Sequence, residues 1–444
     1  MNARAVAAQV LVATERGDGW ATDLLSRALG QHPAADPRDR ALATELVYGV
    51  LRQQLRLDHA LRPRIRQELE RLEPLARALL RLGAYQLLFL DRTPPPIAVS
   101  ATQDAAGALG AGRLRGLLNA VLRRLAREGE ALAPAGDAPD DEALGLRWSL
   151  PAWVVGALRA RFGDAGAARE AEALRWRAPL TVRPTLGRGG AQAAMDALAA
   201  EGFLAEPGAH GTLRVTGPGD PFATRAFADG LFTPQDPASL AVVDLLGSPA
   251  ELAGKRVLDL CAGRGVKTTA LADRGARVTA VDVVPRKLKH AARLAERLGV
   301  AERVETRPGD PTQGAPADDP LGLGTFDHVL VDAPCTGLGT LRRRPEVAWR
   351  TAPADVTRLA ALQARLVAAA APRVAPGGLL VYAVCTFTPQ EADPALPEGF
   401  LDDFEEVGAP RVWRPSDGVD GFAAHVWRRR AEGRATGGDG AASE

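Results

Sequence analysis

From about residue 236 onward the chain alternates short apolar runs with amphipathic segments, and no other feature constrains the fold as strongly. The runs Val257–Cys261, Arg277–Asp282, Val304–Thr306, His328–Ala333 and Leu379–Val384 have the length of buried strands. Segments near 266–274, 285–298 and 355–371 carry helical spacing and separate several of them. Strands alternating with helices predict a parallel, doubly wound α/β sheet. Ligands of such sheets bind at the carboxyl ends of the strands. Side chains at those ends are therefore the first candidates for a site.

The rest of the chain divides differently. At roughly 150 residues per domain, 444 residues leave room for about three domains. Residues 1–130 read as all-helical, with apolar positions at helical spacing in 4–14, 41–62, 68–90 and 112–127. Pro94, Pro95 and Pro96 interrupt that pattern and predict a loop. Residues 131–145 read as a linker, and 146–235 as a small α/β domain. In the latter, helices at 151–162 and 190–201 flank extended pieces at Leu180–Arg183 and Thr212–Val215. The third domain runs over 236–432, and the polar, Gly- and Ala-rich segment 433–444 reads as a disordered tail.

Composition narrows the class. Apolar residues make up 46% and charged ones 25%, as in a globular chain. No segment reaches the ~20 uncharged apolar residues of a membrane span, and the N-terminus lacks a signal-peptide core, so a cytoplasmic protein without membrane contact is expected. Net charge is +1, but residues 1–130 hold 19 arginines against 14 acids, a mildly basic balance suited to phosphate contact. The three cysteines and six histidines form neither a C-x-x-C nor an H-x-x-x-H pair, so no metal site is expected.

The segment Val257-Leu-Asp-Leu-Cys-Ala-Gly-Arg-Gly-Val-Lys-Thr-Thr269 runs from strand through a glycine turn into a helix. Gly263 and Gly265 permit a tight turn and close approach of a ligand, and the helix start offers free N–H groups. A dinucleotide fingerprint fails at Thr268, and a phosphate-binding P-loop fails because Lys267 follows the first glycine too soon. Asp282 ends the second strand, where a carboxylate can accept ribose hydroxyls, and Asp310 follows the third, within reach of an adenine amino group. Together they point to an adenosine-type ligand.

Cys261, Cys335 and Cys385, the only three cysteines, all fall at predicted strand ends. Isolated cysteines are more often buried small hydrophobes than nucleophiles. Chance placement of all three on the ligand edge is improbable enough to make at least one a reactive thiol. Asp332-Ala-Pro-Cys335 adds an acid and a rigid turn to one of those ends. Sequence chemistry leaves open whether Cys335 or Cys385 is the nucleophile.

These motifs resemble the bacterial 16S ribosomal RNA cytosine-C5 methyltransferases of the Sun/RsmB type, within the Nop/Sun family. Residues 1–130 are similar to that family's NusB-like helical RNA-binding domain. Gly230-Leu-Phe-Thr-Pro-Gln-Asp-Pro-Ala-Ser239 resembles the lead into its catalytic domain, and Asp420-Gly-Phe422 its closing hairpin. Asp332-Ala-Pro-Cys335, Arg342-Arg-Arg-Pro-Glu-Val-Ala-Trp349 and Tyr382-Ala-Val-Cys-Thr386 resemble its motifs IV and VI. The resemblance implies a multidomain chain: an all-α NusB-like N-terminal domain, a small α/β RNA-binding middle domain, and a C-terminal Rossmann-like S-adenosylmethionine (SAM) methyltransferase domain. It implies SAM contacts from Cys261, Ala262, Gly263, Arg264, Gly265, Val266, Lys267, Asp282, Asp310 and Asp332. It makes Cys385 the nucleophile, with Cys335 aiding product release and Asp332 assisting near the ring. The implied partner is small-subunit ribosomal RNA, the implied state a monomer.

Two departures stand out. Arg264 and Val266 replace residues of the family's A-P-G-G-K loop, and a left-handed backbone at 266 would strain a valine. Val384 stands where threonine usually precedes the motif VI cysteine. Two alternative readings keep transfer RNA as substrate, or make the chain a non-enzymatic assembly factor with a degenerate SAM loop. The cluster Arg342-Arg343-Arg344 beside the predicted edge suits RNA phosphates.

Overall fold

A computed structural model describes residues 1–33, 35–129, 140–313, 319 and 321–431. The expected tail at 433–444 and most of the expected linker lie outside the described residues.

The N-terminal region is helical, as its periodicity predicts: α-helices span Ala3–Arg16, Ala21–Gly30, Pro37–Arg52, Gln54–Leu61, Pro74–Phe89, Pro95–Ala108 and Arg115–Glu128. In the last of these Leu118, Val121, Leu122 and Leu125 share one face and are buried. They join Leu46, Leu57, Leu79 and Leu82 in a single core. The three prolines are not a loop throughout. Pro94 is the N-cap, and Pro95 and Pro96 open a helix, where a missing N–H and a fixed φ cost nothing.

The middle region begins earlier than expected. Asp140 caps a helix over Asp141–Trp148 by accepting from Ala143 N at 2.8 Å, inside the span read as linker. A second helical stretch, Ala152–Leu174, continues past a break at Gly163. Both pack on Leu338, Leu341, Val347 and Phe387 of the third domain. Strands β1 (Thr181–Pro184), β2 (Leu204–Pro207), β3 (Leu213–Thr216) and β4 (Phe232–Pro234) form a separate antiparallel sheet in the order β2-β3-β1-β4. With the helix Gly190–Ala200 it encloses Val182, Leu198, Leu213 and Phe232.

The third domain holds β5 (Arg256–Asp259), β6 (Arg277–Asp282), β7 (Val304–Pro308), β8 (Phe326–Asp332), β9 (Val374–Val384), β10 (Phe404–Glu406), β11 (Arg411–Trp413) and β12 (Phe422–Arg429). Their order is β10-β12-β9-β8-β5-β6-β7, with β11 paired to β12. The five strands legible in the sequence are parallel, and β12 adds antiparallel to β9, so the sheet is mixed. Chain order reverses between β5 and β8, which opens a crevice at their carboxyl ends. Helices Val266–Asp273, Pro285–Leu298 and Pro353–Ala370 follow the predicted segments.

Two ties hold the parts together. The first 30 residues dock on the third domain: Trp20 lies between the guanidinium groups of Arg344 (4.0 Å) and Arg350 (4.3 Å), and Ala21 N donates to Glu346 at 3.3 Å. Arg350 donates to Gly19 O at 2.7 Å, and the Trp349 indole to Leu51 O at 2.7 Å. In the second tie, Arg343 donates to Asp236 at 2.7 Å, to Asp420 at 3.2 Å, to Pro179 O at 3.0 Å and to Thr181 Oγ1 at 3.2 Å. One guanidinium thus joins β1 to the third domain.

The Asp420 carboxyl is pushed up to about 7 by burial and then by Asp236. The folded chain therefore holds a proton that the unfolded chain, titrating near pH ~4, releases, and the stability this contributes is lost as pH rises from there to about 7. Arg343→Met leaves both carboxylates buried without their cation. It is expected to cost about 3–5 kcal/mol at pH 8. The cost should be smaller at pH 5, where a protonated Asp420 relieves the repulsion. Urea unfolding midpoints at the two pH values measure the difference, and equal costs at both would refute this account.

Candidate active site

The crevice is floored by the turn after β5. Gly263 and Gly265 take positive φ (58° and 82°), as their lack of a side chain permits. A Cβ on Gly265 would lie 2.5 Å from Ala291 Cβ, so glycine there lets the turn rest on the helix Pro285–Leu298. Asp282, at the end of β6, accepts from Gly263 N at 3.0 Å and Val284 N at 2.8 Å, with Lys287 Nζ 3.5 Å away. It fixes the turn as well as facing the crevice. Asp310, after β7, accepts from the N–H (2.9 Å) and hydroxyl (2.7 Å) of Thr312. The helix Val266–Asp273 starts without a side-chain cap, which leaves its first N–H groups open to an anion.

Val266 is the first residue of that helix, and the only non-glycine positive φ values among the described residues are at Ser149 and His210. The strain expected of a valine at 266 is therefore absent. Val384 is fully buried at the end of β9, paired with Ala423, in the apolar cluster beneath the crevice. Arg264 points outward, paired with Asp23 of the helix Ala21–Gly30 at 3.0 Å. The residue expected among the ligand contacts is thus engaged by the helical domain. Lys267 is buried, 2.7 Å from Asp332, with Phe422 of β12 5.0 Å away under its ammonium.

The structure brings Cys335 and Cys385 together, Sγ to Sγ, at 3.3 Å. Their separation in sequence is bridged by β8 and β9, which run side by side with Asp332 opposite Ala383. The hydrogen bond with Cys385, reinforced by burial, pushes the Cys335 thiol well above its ordinary range. Cys335 therefore keeps its proton. Cys261 stays apart from this pair at the cofactor-type turn, and burial together with the charges of Asp259, Asp332 and Asp282 holds it neutral.

Several site residues escaped the sequence reading. Glu391, fully buried, accepts from Thr336 N (2.8 Å), Thr336 Oγ1 (2.6 Å), Thr388 Oγ1 (2.6 Å) and Gln363 Nε2 (3.2 Å). The Thr336 and Thr386 hydroxyls meet at 2.9 Å, so one carboxylate ties the two cysteine turns together. Gly339 N donates to Cys385 O at 3.0 Å, and a Cβ on Gly339 would lie 1.9 Å from Gly421 O. Asp259, buried beneath the crevice, accepts from Thr268 at 2.7 Å, and burial pushes its carboxyl up to about 7. Locally Glu391 is marked only by Thr388 three residues before it; Thr336 and Gln363 come from distant parts of the chain. The position of Asp259 four residues before the first glycine was a usable signal.

The arginine cluster is a correction. Arg343 is the interdomain tie, Arg342 is buried with its guanidinium 3.3 Å from Val419 O, and Arg344 stacks on Trp20. These groups are committed to internal contacts rather than offered to phosphates.

Glu391→Ala would strip the acceptor from four buried donors, at about 1–3 kcal/mol for each left unpaired. We expect a lower melting temperature and faster alkylation of Cys335 and Cys385 by iodoacetamide. Glu391→Gln keeps one acceptor oxygen and should fall between the two. Equal melting temperatures for the Ala variant and the wild type would show that the clamp carries no weight.

Comparison with known proteins agrees with this architecture. A profile described as 16S rRNA methyltransferase RsmB/F matches residues 249–412, and one of the NusB family matches residues 1–127. The chain is 40% identical over 391 residues to the ribosomal RNA small subunit methyltransferase B of Thermus thermophilus, spanning 88% of this chain and 85% of that one. It is 33% identical over 426 residues to the probable ribosomal RNA small subunit methyltransferase B of Synechocystis, spanning 94% and 93%. The crystal structure of PH0851 shares the fold, with a TM-score of 0.80 at 21% identity over 96% of this chain and 99% of that one. The parallel sheet, the glycine turn and the preceding helical domain thus have one common reading: the chain belongs to the RsmB/F family of 16S rRNA methyltransferases, with a NusB-family domain at its N-terminus.

Proposed function

We propose that this protein methylates C5 of a cytosine in small-subunit ribosomal RNA, with S-adenosylmethionine as methyl donor and Cys385 as covalent nucleophile. The observation that carries the proposal is the pair of thiols 3.3 Å apart at adjacent strand ends, beside a glycine turn and an acid at the next strand.

Three features support that donor. The open side of Gly263, where a Cβ would meet nothing nearer than 3.9 Å, leaves room against the turn. Asp282 and Asp310 stand at consecutive strand ends, suited to ribose hydroxyls and an adenine amine. The uncapped helix start at Val266 suits a carboxylate. The segment Cys261–Lys267 with Asp282, Asp310 and Asp332 would hold the donor, which supplies an electrophilic methyl group when bound.

The protein's own groups do the rest. C5 of cytosine is a poor nucleophile until a thiolate adds to C6 and pushes electron density onto it. Cys385 forms that C6–S bond. Cys335 keeps its proton and lies 3.3 Å from the Cys385 sulfur, placed as a hydrogen-bond donor to it. Asp332 is ion-paired with Lys267, so it acts as an acceptor for the exocyclic amine rather than as an acid at N3. After C5 is methylated, water takes its proton, the freed electron pair re-forms the C5–C6 double bond, and the C6–S bond breaks, with Cys335 giving a proton to the departing sulfur.

Cys385→Ala should abolish methyl transfer and leave no covalent protein–RNA adduct. Cys335→Ala should accumulate an adduct that survives denaturing electrophoresis. If Cys335→Ala is the variant without adduct, the two thiols have the opposite roles. Asp282→Ala should weaken SAM binding by roughly 10–100-fold in calorimetry, through loss of charge-assisted hydrogen bonds. Bisulfite sequencing of 16S rRNA from a deletion strain tests the substrate: an unchanged cytosine pattern would refute it.

A further inference from the structure

Trp176 is the most exposed large hydrophobic side chain among the described residues, at 65%. It follows the helix Ala152–Leu174 and precedes β1, within Arg175-Trp176-Arg177. Its backbone is not loose. Arg175 N donates to Glu172 O at 3.2 Å and Trp176 N to Ala173 O at 3.3 Å, so the helix end fixes the backbone from which the ring projects into solvent. Arg175 is paired with Glu172 at 3.0 Å, whereas Arg177 is exposed and makes no ion pair among the described residues.

The surroundings of Arg177 are basic and concave. Its charge acts on Arg52 and Tyr48 of the helical domain, and Tyr48 also feels Arg344. The Nε of Arg52 is buried with no hydrogen-bond partner among the described residues. On the other side, a cleft of about 370 Å³ opens between Arg177, Pro179, Phe203, Gly217 and Pro221. An indole left in water gains most from a flat apolar partner, and an unpaired guanidinium gains from an anion. A nucleotide of single-stranded RNA offers both at once. A duplex hides its base faces and offers only the anion.

We propose that Trp176 and Arg177 form a platform for single-stranded RNA. One base stacks on the indole, the adjoining phosphate pairs with Arg177, and the strand crosses toward Arg52 and Tyr48. The cleft beside Phe203 takes a neighbouring base. This rests on the reading of RNA as the substrate, and it assigns the contact to residues outside the catalytic crevice.

The test uses the full chain and a fluorescein-labelled, unstructured RNA of about 12 nucleotides, alone and annealed to its complement, read by anisotropy. Trp176→Ala should bind the single strand about tenfold more weakly and the duplex unchanged, with Trp176→Phe restoring most of the affinity. Arg177→Ala should lower the slope of log affinity against log salt by about one. Because both side chains are exposed, melting temperature and SAM binding should stay at wild-type values. Single-strand affinity within twofold of wild type in Trp176→Ala would overturn the proposal. So would equal losses for strand and duplex. Failure of the methylation reading would show instead as absent SAM binding in the wild type and absent adduct in Cys335→Ala, with the oligonucleotide result intact.

Discussion

The parallel pairing of β8 with β9 is the constraint on which the rest of the candidate site depends. With Asp332 opposite Ala383, the two turns that follow leave the sheet at the same level, and their thiols arrive 3.3 Å apart. A slip of one residue would send each side chain to the opposite face and separate them. The register is held from within by the apolar runs of both strands and from beyond the sheet by Glu391, which grips the two turns through Thr336, Thr388 and Gln363. Gly339 and Gly421 then let the final hairpin close against the same turns, Gly421 N donating to Gly339 O at 2.8 Å.

Buried charge recurs around this edge, and three instances meet a partner. Lys267 meets Asp332, Arg343 meets Asp236 and Asp420, and Asp259 takes the hydroxyl of Thr268. Such networks are costly when half-made and specify a unique arrangement when complete. Their placement here divides labour. Asp282, Asp332 and the thiols face the crevice, while Glu391, Asp259 and Arg343 hold those groups in position.

What was legible in the sequence was local. Short apolar runs and period-3.6 patterns located the five parallel strands and the helices between them, and glycine chemistry located the turn at 263–265. The thiol pair was only half legible. Strand ends placed both cysteines on one edge, but their contact depends on a pairing between segments 50 residues apart. The errors have the same origin. Pro94–Pro96 looked like a break because proline interrupts a helix everywhere except its first turn. The arginine triplet looked like a phosphate grip because Asp236, Asp420, Val419 and Trp20, which occupy it, come from distant parts of the chain. Glu391 had only Thr388, three residues before it, as a local sign, and its other donors are assembled from distant turns.

The docking of Trp20 between Arg344 and Arg350 has a consequence in time. The helical domain has its own core and is made first. Its contact surface for the rest of the protein waits on residues such as Glu346, which lies 325 positions beyond Ala21. At ribosomal rates of roughly 5–20 residues per second, that interval lasts on the order of 15–65 s. Throughout it the indole has no guanidinium to lie against, and Asp23 gains Arg264 before Trp20 gains its pair of arginines. The nascent domain therefore spends most of its synthesis with an open hydrophobic dock, and the chain seals that dock itself late in elongation.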